Sequence, residues 1–302
     1  MEELYDIRDR RFTALILMNV GMETLWTGAR WAEGPAYHAA GRYLVFSDIP
    51  NDRLLRWDES DGRVSTFQQP AGFQNGHTID RQGRLVCCEH LARCVSRVEH
   101  DGRRVVLASH YQGKRLNSPN DVVVKSDGSV WFSDPSYGID TDYEGDKADS
   151  EIGASNVYRI DPDGTVDLVI GDLGQPNGLA FSPDESVLYV ADSGQTHDPS
   201  RARAIHAYPV DGKGVGRGVM FCESDCGFFD GFRLDRAGNL WTSAGDGVHC
   251  FASDGTLLGK ILTGEGVANV CFGGPKRNRL FICATTSLRS IYLNTQGVSY
   301  YG

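Results

Sequence analysis

Read for where apolar and polar residues alternate, the chain repeats one pattern six times. The fullest copy is Ser118-Pro119-Asn120-Asp121-Val122-Val123-Val124, then Lys125-Ser126-Asp127-Gly128-Ser129, then Val130-Trp131-Phe132-Ser133-Asp134. An amide and a carboxylate precede a β-branched run, a turn follows, and a second apolar run ends on an acid. That predicts strand, tight turn, strand. The heads of the six copies are Glu33, Asn75, Asn120, Asn177, Asp230 and Asn269, at separations of 42, 45, 57, 53 and 39 residues. Five are followed by Gly or Asp (Gly34, Gly76, Asp121, Gly178, Gly231), and a turn residue falls eight positions after every head: Gly41, Gly83, Gly128, Glu185, Gly238 and Arg277.

Each turn leads into a second apolar strand, and four of these close on Asp48, Glu89, Asp134 or Asp192. A third strand follows, and in five copies an Asp-Gly pair (61–62, 101–102, 163–164, 211–212, 254–255) marks a hairpin into a fourth. The period is that of a four-stranded propeller blade. The sixth copy stops at its third strand, 289–293, apart from a short tail at 298–301. Residues 22–27 precede the first head as a fourth strand would, so they are expected to complete blade six. The predicted fold is all-β: a six-bladed β-propeller in one domain, 1–302, with residues 1–20 packed on it. A closed ring leaves no open sheet edge and has a central channel, and the six heads are expected to circle one mouth of it. The acidic stretch 140–149 reads as a solvated loop.

Charge narrows the function classes. The formal net charge is −10 with no basic face evident, which argues against nucleic acid as a partner. There is no run of 18 apolar residues, hence no expected membrane span, and the N-terminus is too charged for a secretory signal. The eight cysteines include no CxxC pair. Most fall in predicted strands, Cys222 and Cys226 being the one conceivable pair, and a reduced, cytoplasmic protein is expected.

The heads carry the candidate chemistry: two carboxylates, Glu33 and Asp230, and four amides. Oxygen donors of this kind suit a hard divalent cation, Ca²⁺ first, with Mg²⁺ or Mn²⁺ and also Zn²⁺ or Fe²⁺ admissible. Polar heads that converge in a channel need partners, because a buried polar group without one is costly. No G-x-S-x-G elbow supports a serine triad. His77 either reaches the channel mouth or is a hydrogen-bonded structural histidine. Arg115, Tyr137 and His197 lie in loops near heads or strand ends, where substrate contact is possible.

Trp31-Ala32-Glu33-Gly34-Pro35, Asn117-Ser118-Pro119-Asn120-Asp121, Phe132-Ser133-Asp134-Pro135-Ser136-Tyr137-Gly138, Pro176-Asn177-Gly178 and Asp230-Gly231 together resemble the gluconolactonase and regucalcin (senescence marker protein) family of sugar-lactone hydrolases. The likeness runs from about 27 to 293, and the Lys114-Arg115-Leu116-Asn117-Ser118-Pro119-Asn120-Asp121 run looks closest to the bacterial gluconolactonase-like branch. It implies a six-bladed propeller with one divalent metal in the channel. Glu33, Asn177 and Asp230 would be its ligands, and Asn120 a ligand or a near-metal residue touching substrate. Where animal regucalcins place an arginine, this chain has Ser118, with Arg115 the substitute.

The expected reaction is metal-assisted ring opening of a sugar lactone, with Asp230 as general base or, by analogy with propeller phosphotriesterases, as nucleophile. Asn120, Arg115, His77, Tyr137 and Asn75 are the expected substrate contacts. The expected partner is a small-molecule lactone, and the chain a monomer or homodimer. The alternatives are another ester or phosphotriester at the same site, and a non-catalytic metal-binding propeller.

Overall fold

The computed structural model describes residues 4–298. Within them the repeat folds into six small antiparallel sheets arranged as propeller blades. The innermost strands are Ala32–His38, Gln74–Ile79, Val122–Val124, Pro176–Phe181, Phe232–Leu234 and Val267–Gly273; each touches the next, and the last touches the first. The second strands (Tyr43–Asp48, Leu85–Glu89, Val130–Asp134, Val187–Asp192, Leu240–Ser243, Arg279–Ala284) reach past the apolar runs and include the closing acids. Residues 299–301 of the expected tail lie outside the described residues.

The turn signals have a backbone cause. The residue eight positions after the head is left-handed in five copies: Gly83 (φ 81°), Gly128 (85°), Glu185 (60°), Gly238 (82°) and Arg277 (52°). The first copy differs, since Arg42 (φ 53°) takes that conformation instead of Gly41. Gly41 is needed for space, because an added Cβ would lie 2.4 Å from the Tyr43 ring. All five Asp-Gly glycines are also left-handed. In blade four the third strand runs on to Asp211 and carries a short hairpin with Gly214–Val215 before Val219–Glu223 pairs beside it.

Blades adhere through large side chains that cross between sheets. Trp131 of blade three meets Phe181 of blade four edge-on at 5.4 Å, Trp241 of blade five meets Phe272 of blade six at 6.3 Å, and Phe281 of blade six stacks on Tyr37 of blade one at 5.7 Å. Each such ring removes a large apolar area from water and adds oriented contact. Closure occurs as expected: Glu23–Thr27 pairs antiparallel with Ser287–Tyr292. Among the described residues no helix is long and apolar enough to cross a membrane, and all eight cysteines are unpaired.

The N-terminal segment extends blade five. Tyr5–Ile7 adds a fifth strand alongside Leu257–Leu262, and Ile16 bridges to Leu293. Phe12 is fully buried between Tyr5 and Trp241. Phe12→Ala should therefore lower the unfolding free energy by about 3 kcal/mol, measured by denaturant titration. A loss under 1 kcal/mol would show that the segment adds little to the folded ring.

Candidate active site

Why Gly so often follows a head is visible in the packing. A Cβ on Gly34 would lie 1.9 Å from the Asn75 carbonyl oxygen, and one on Gly178 would lie 2.1 Å from that of Asp230. Gly76 meets the Asn120 carbonyl oxygen in the same way, whereas Gly231 makes room for the Asn269 side chain. Each glycine thus lets the next head close against it, and the heads form a tight ring. Gly178→Ala should push Asp230 out of place, with a stability loss of about 2–4 kcal/mol and a fall in turnover of roughly 100-fold. Thermal melts and kinetics on the same preparation test both; unchanged kinetics would sever the packing from the site.

Serines at the ends of second strands stitch these heads together. Ser47 donates to the Asn75 carbonyl, Ser193 donates to the Phe229 carbonyl, and Ser243 accepts from the Asp230 amide. Two of the closing acids serve the loops instead. Asp192 accepts the Gly174, Gln175 and Gly194 amides, and Asp134 accepts that of Asn117.

Five heads, Glu33, Asn75, Asn120, Asn177 and Asp230, line one cavity of about 290 Å³ at a mouth of the channel, with Trp31, Tyr137, Thr196 and Phe228 on its walls. The sixth, Asn269, is outside the lining but orders it. Its Oδ1 accepts the Val270 amide, and its Nδ2 donates to Glu33 Oε2 at 3.0 Å. The Gly34 amide donates to the same oxygen. Glu33 Oε1 is left buried with no partner.

Two amides are held in the same fashion. Ser193 spends its proton on the Phe229 carbonyl, so its oxygen must accept from Asn177 Nδ2, 3.2 Å away. His90, which burial pushes down to about 4, is neutral. Its Nδ1–H donates to the Glu144 carbonyl at 2.8 Å, so Nε2 accepts from Asn75 Nδ2 at 3.3 Å. Both amide nitrogens are thereby occupied, and Asn177 Oδ1 and Asn75 Oδ1 stay buried without partners. Three bare oxygens around one cavity is a donor set that fits a hard cation.

The electrostatics agree. Burial pushes Glu33 up to about 8, and Asp121 adds to the shift. Asp230 is raised well above the carboxylate range, first by burial, then by Glu33. Among the described residues no Lys or Arg side chain pairs with either; the nearby Arg233 reaches Asp121 at 3.4 Å. Two close, buried carboxylates resist joint ionisation until a positive charge joins them. Glu33, Asn177 and Asp230, with Asn120 and Asn75 open to the same space, are the residues able to hold a divalent ion.

A second group, Asp225, Asp246 and His249, brings ligand atoms within 4.8 Å on blade five. There the protein supplies its own cation, since Lys260 Nζ lies 2.7 Å from Asp225 and 2.9 Å from Asp246.

Two expected substrate contacts lie elsewhere. His77 is fully buried, bonded to the Gly34 carbonyl at 2.9 Å and to Gln74 at 3.2 Å. It lines the opposite end of the channel with Arg233, because it sits two residues further along its strand. Arg115 does not line the cavity: it belongs to a small hairpin and donates to the Leu91 and Ala92 carbonyls at 3.3 Å. Tyr137 does line it, its hydroxyl 3.0 Å from Thr196 Oγ1. His197 bonds Thr196 and Asp140 instead of facing the cavity.

The acidic stretch holds a residue that sequence reasoning missed. Glu144 is half-buried against the cavity, where burial raises it to about 7. The one signal available was an isolated Tyr143-Glu144-Gly145 among small and acidic residues.

A family profile described as SMP-30/Gluconolactonase/LRE-like region matches residues 31–286. The gluconolactonase of Zymomonas mobilis is 33% identical, over 95% of this chain and 85% of its own length. A pentonolactonase of Haloferax volcanii is 29% identical, over 85% of this chain and 82% of its own. The solved structure of a gluconolactonase from Xanthomonas campestris superposes with a TM-score of 0.90 at 38% identity, over 96% of this chain and 95% of that one.

Proposed function

The chain belongs to the SMP-30/gluconolactonase/LRE-like family, and from that premise we propose that it is a hydrolase that opens the ring of a sugar lactone. The observation that carries this reading is the trio of bare oxygens, Glu33 Oε1, Asn75 Oδ1 and Asn177 Oδ1, beside Asp230 in one cavity. Glu33, Asn177 and Asp230 would hold one divalent ion, Ca²⁺ first among candidates, with Asn120 as a fourth ligand or a substrate contact. When bound, such an ion supplies Lewis-acid polarisation of the lactone carbonyl.

The chain's own residues do the rest. Asp230 takes the proton from the attacking water, as a carboxylate whose proton affinity is raised by burial is suited to do. Asn120 offers a polar contact to the lactone's oxygens, and Asn75 turns its bare Oδ1 to the same space. Trp31, Tyr137 and Phe228 wall the cavity with aromatic surface, which limits bulk water around the reacting carbonyl. Unpaired thiols throughout suit the reducing cytoplasm.

A substrate panel followed by proton release at constant pH tests the reading. Five- and six-membered aldonolactones should be hydrolysed at least about 100-fold more efficiently than aryl esters or phosphotriesters. The reverse order would assign the same site to another electrophile.

A further inference from the structure

Glu144 is the one carboxylate at the cavity that neither the ring of heads nor the loop hydrogen bonds use. Among the described residues no donor reaches its side chain, and no Lys or Arg pairs with it. Its backbone, in contrast, is anchored at its carbonyl and by the residues that follow it. The Glu144 carbonyl accepts from His90 Nδ1 at 2.8 Å. Gly145 presses on Gly138, where an added Cβ would lie 2.2 Å from the Gly138 oxygen, and Gly138 presses on the His90 ring. The Ala148 amide bonds the Ile139 carbonyl at 3.0 Å. A chain held this firmly, ending in an acceptor with nothing to accept, is prepared for donors that arrive with a ligand.

The donors on offer follow from the proposed reaction, on which this inference rests. An aldonolactone differs from a plain cyclic ester by its ring and side-chain hydroxyls, and a carboxylate binds such hydroxyls through short, charge-assisted bonds. We propose that Glu144 is the residue that reads the hydroxyl groups of the substrate, and so selects polyhydroxylated lactones over unsubstituted ones. It acts on binding, while the carbonyl chemistry belongs to the heads.

The test compares glucono-1,5-lactone with δ-valerolactone, which has the same ring without hydroxyls. Glu144→Ala should lower kcat/KM for the sugar lactone by about 10–100-fold, mostly through KM. The same change should alter kcat/KM for δ-valerolactone by less than about 3-fold. Glu144→Gln keeps an acceptor oxygen and should recover part of the loss. Because the Glu144 charge is felt by Glu33 and Asp230, both variants are compared at saturating cation, verified by thermal melts. Equal losses on both lactones, or no loss on either, would overturn the proposal. Calorimetric binding of the matching lactams makes the same comparison without turnover. A failure of the lactonase reading therefore leaves Glu144 testable, and lactams bound alike by wild type and Glu144→Ala would overturn its role.

Discussion

Asp230→Asn should fold with the ring of heads intact and turn over a lactone about a thousandfold more slowly than wild type. The size follows from removing a general base, roughly 10²–10⁴ in rate, and from weakening one anionic donor to the cation. The same substitution should make the cation-free protein more stable at pH 8, by roughly 3 °C in Tm. Asn has nearly the volume of Asp, so packing survives, while the burial of a charge and the repulsion from Glu33 that together raise Asp230 are gone. A gain in stability with loss of activity marks a group held in place for chemistry. Full activity in Asp230→Asn would rule out both base and nucleophile roles. Simple destabilisation would make Asp230 a structural carboxylate.

Removing the cation should cost stability in a pH-dependent way. Glu33 rises from an ordinary 4.5 to about 8 in the folded chain, so between those values the folded protein holds a proton that the unfolded chain has released. Stability contributed by that proton is present below the ordinary value and is lost as pH climbs toward 8, at up to about 1.4 kcal/mol per pH unit. A bound divalent ion replaces the proton and cancels the loss. Melting curves with chelator should therefore fall from pH 5.5 to 8.5 more steeply than curves with saturating Ca²⁺, and the gap between them should widen. Parallel curves would mean that Glu33 and Asp230 do not share a cation.

The parts of this architecture that obey a period were readable before any coordinates. Strand alternation, the Asp-Gly hairpins and the offset of eight are local backbone requirements, so they located the blades and the closing strand Glu23–Thr27. The five cavity-lining heads emerged because a repeating fold places equivalent residues at equivalent depth. Position along a strand was harder to read. His77 is two residues past Asn75, far enough to turn from one end of the channel to the other. Arg115 and Glu144 lie in irregular segments, where no period reports the path of the chain. Glu144 is brought to the cavity by His90 and by the Gly138–Gly145 contact, pairings between residues distant in sequence. The bare oxygens likewise depend on which way each amide faces, and that is decided by Ser193, His90 and the Val270 amide.

The central claim is that the bare oxygens and Asp230 bind a divalent ion needed for lactone opening. Its most direct test is proton release from glucono-1,5-lactone at constant pH by chelator-stripped protein, before and after stoichiometric return of Ca²⁺, Mg²⁺, Mn²⁺, Zn²⁺ or Fe²⁺, with Asp230→Asn run in parallel. Stripped wild type should show background hydrolysis only, with recovery by one or more of these ions and no recovery in the variant. Stripped protein that hydrolyses the lactone as fast as the reloaded protein would contradict the claim.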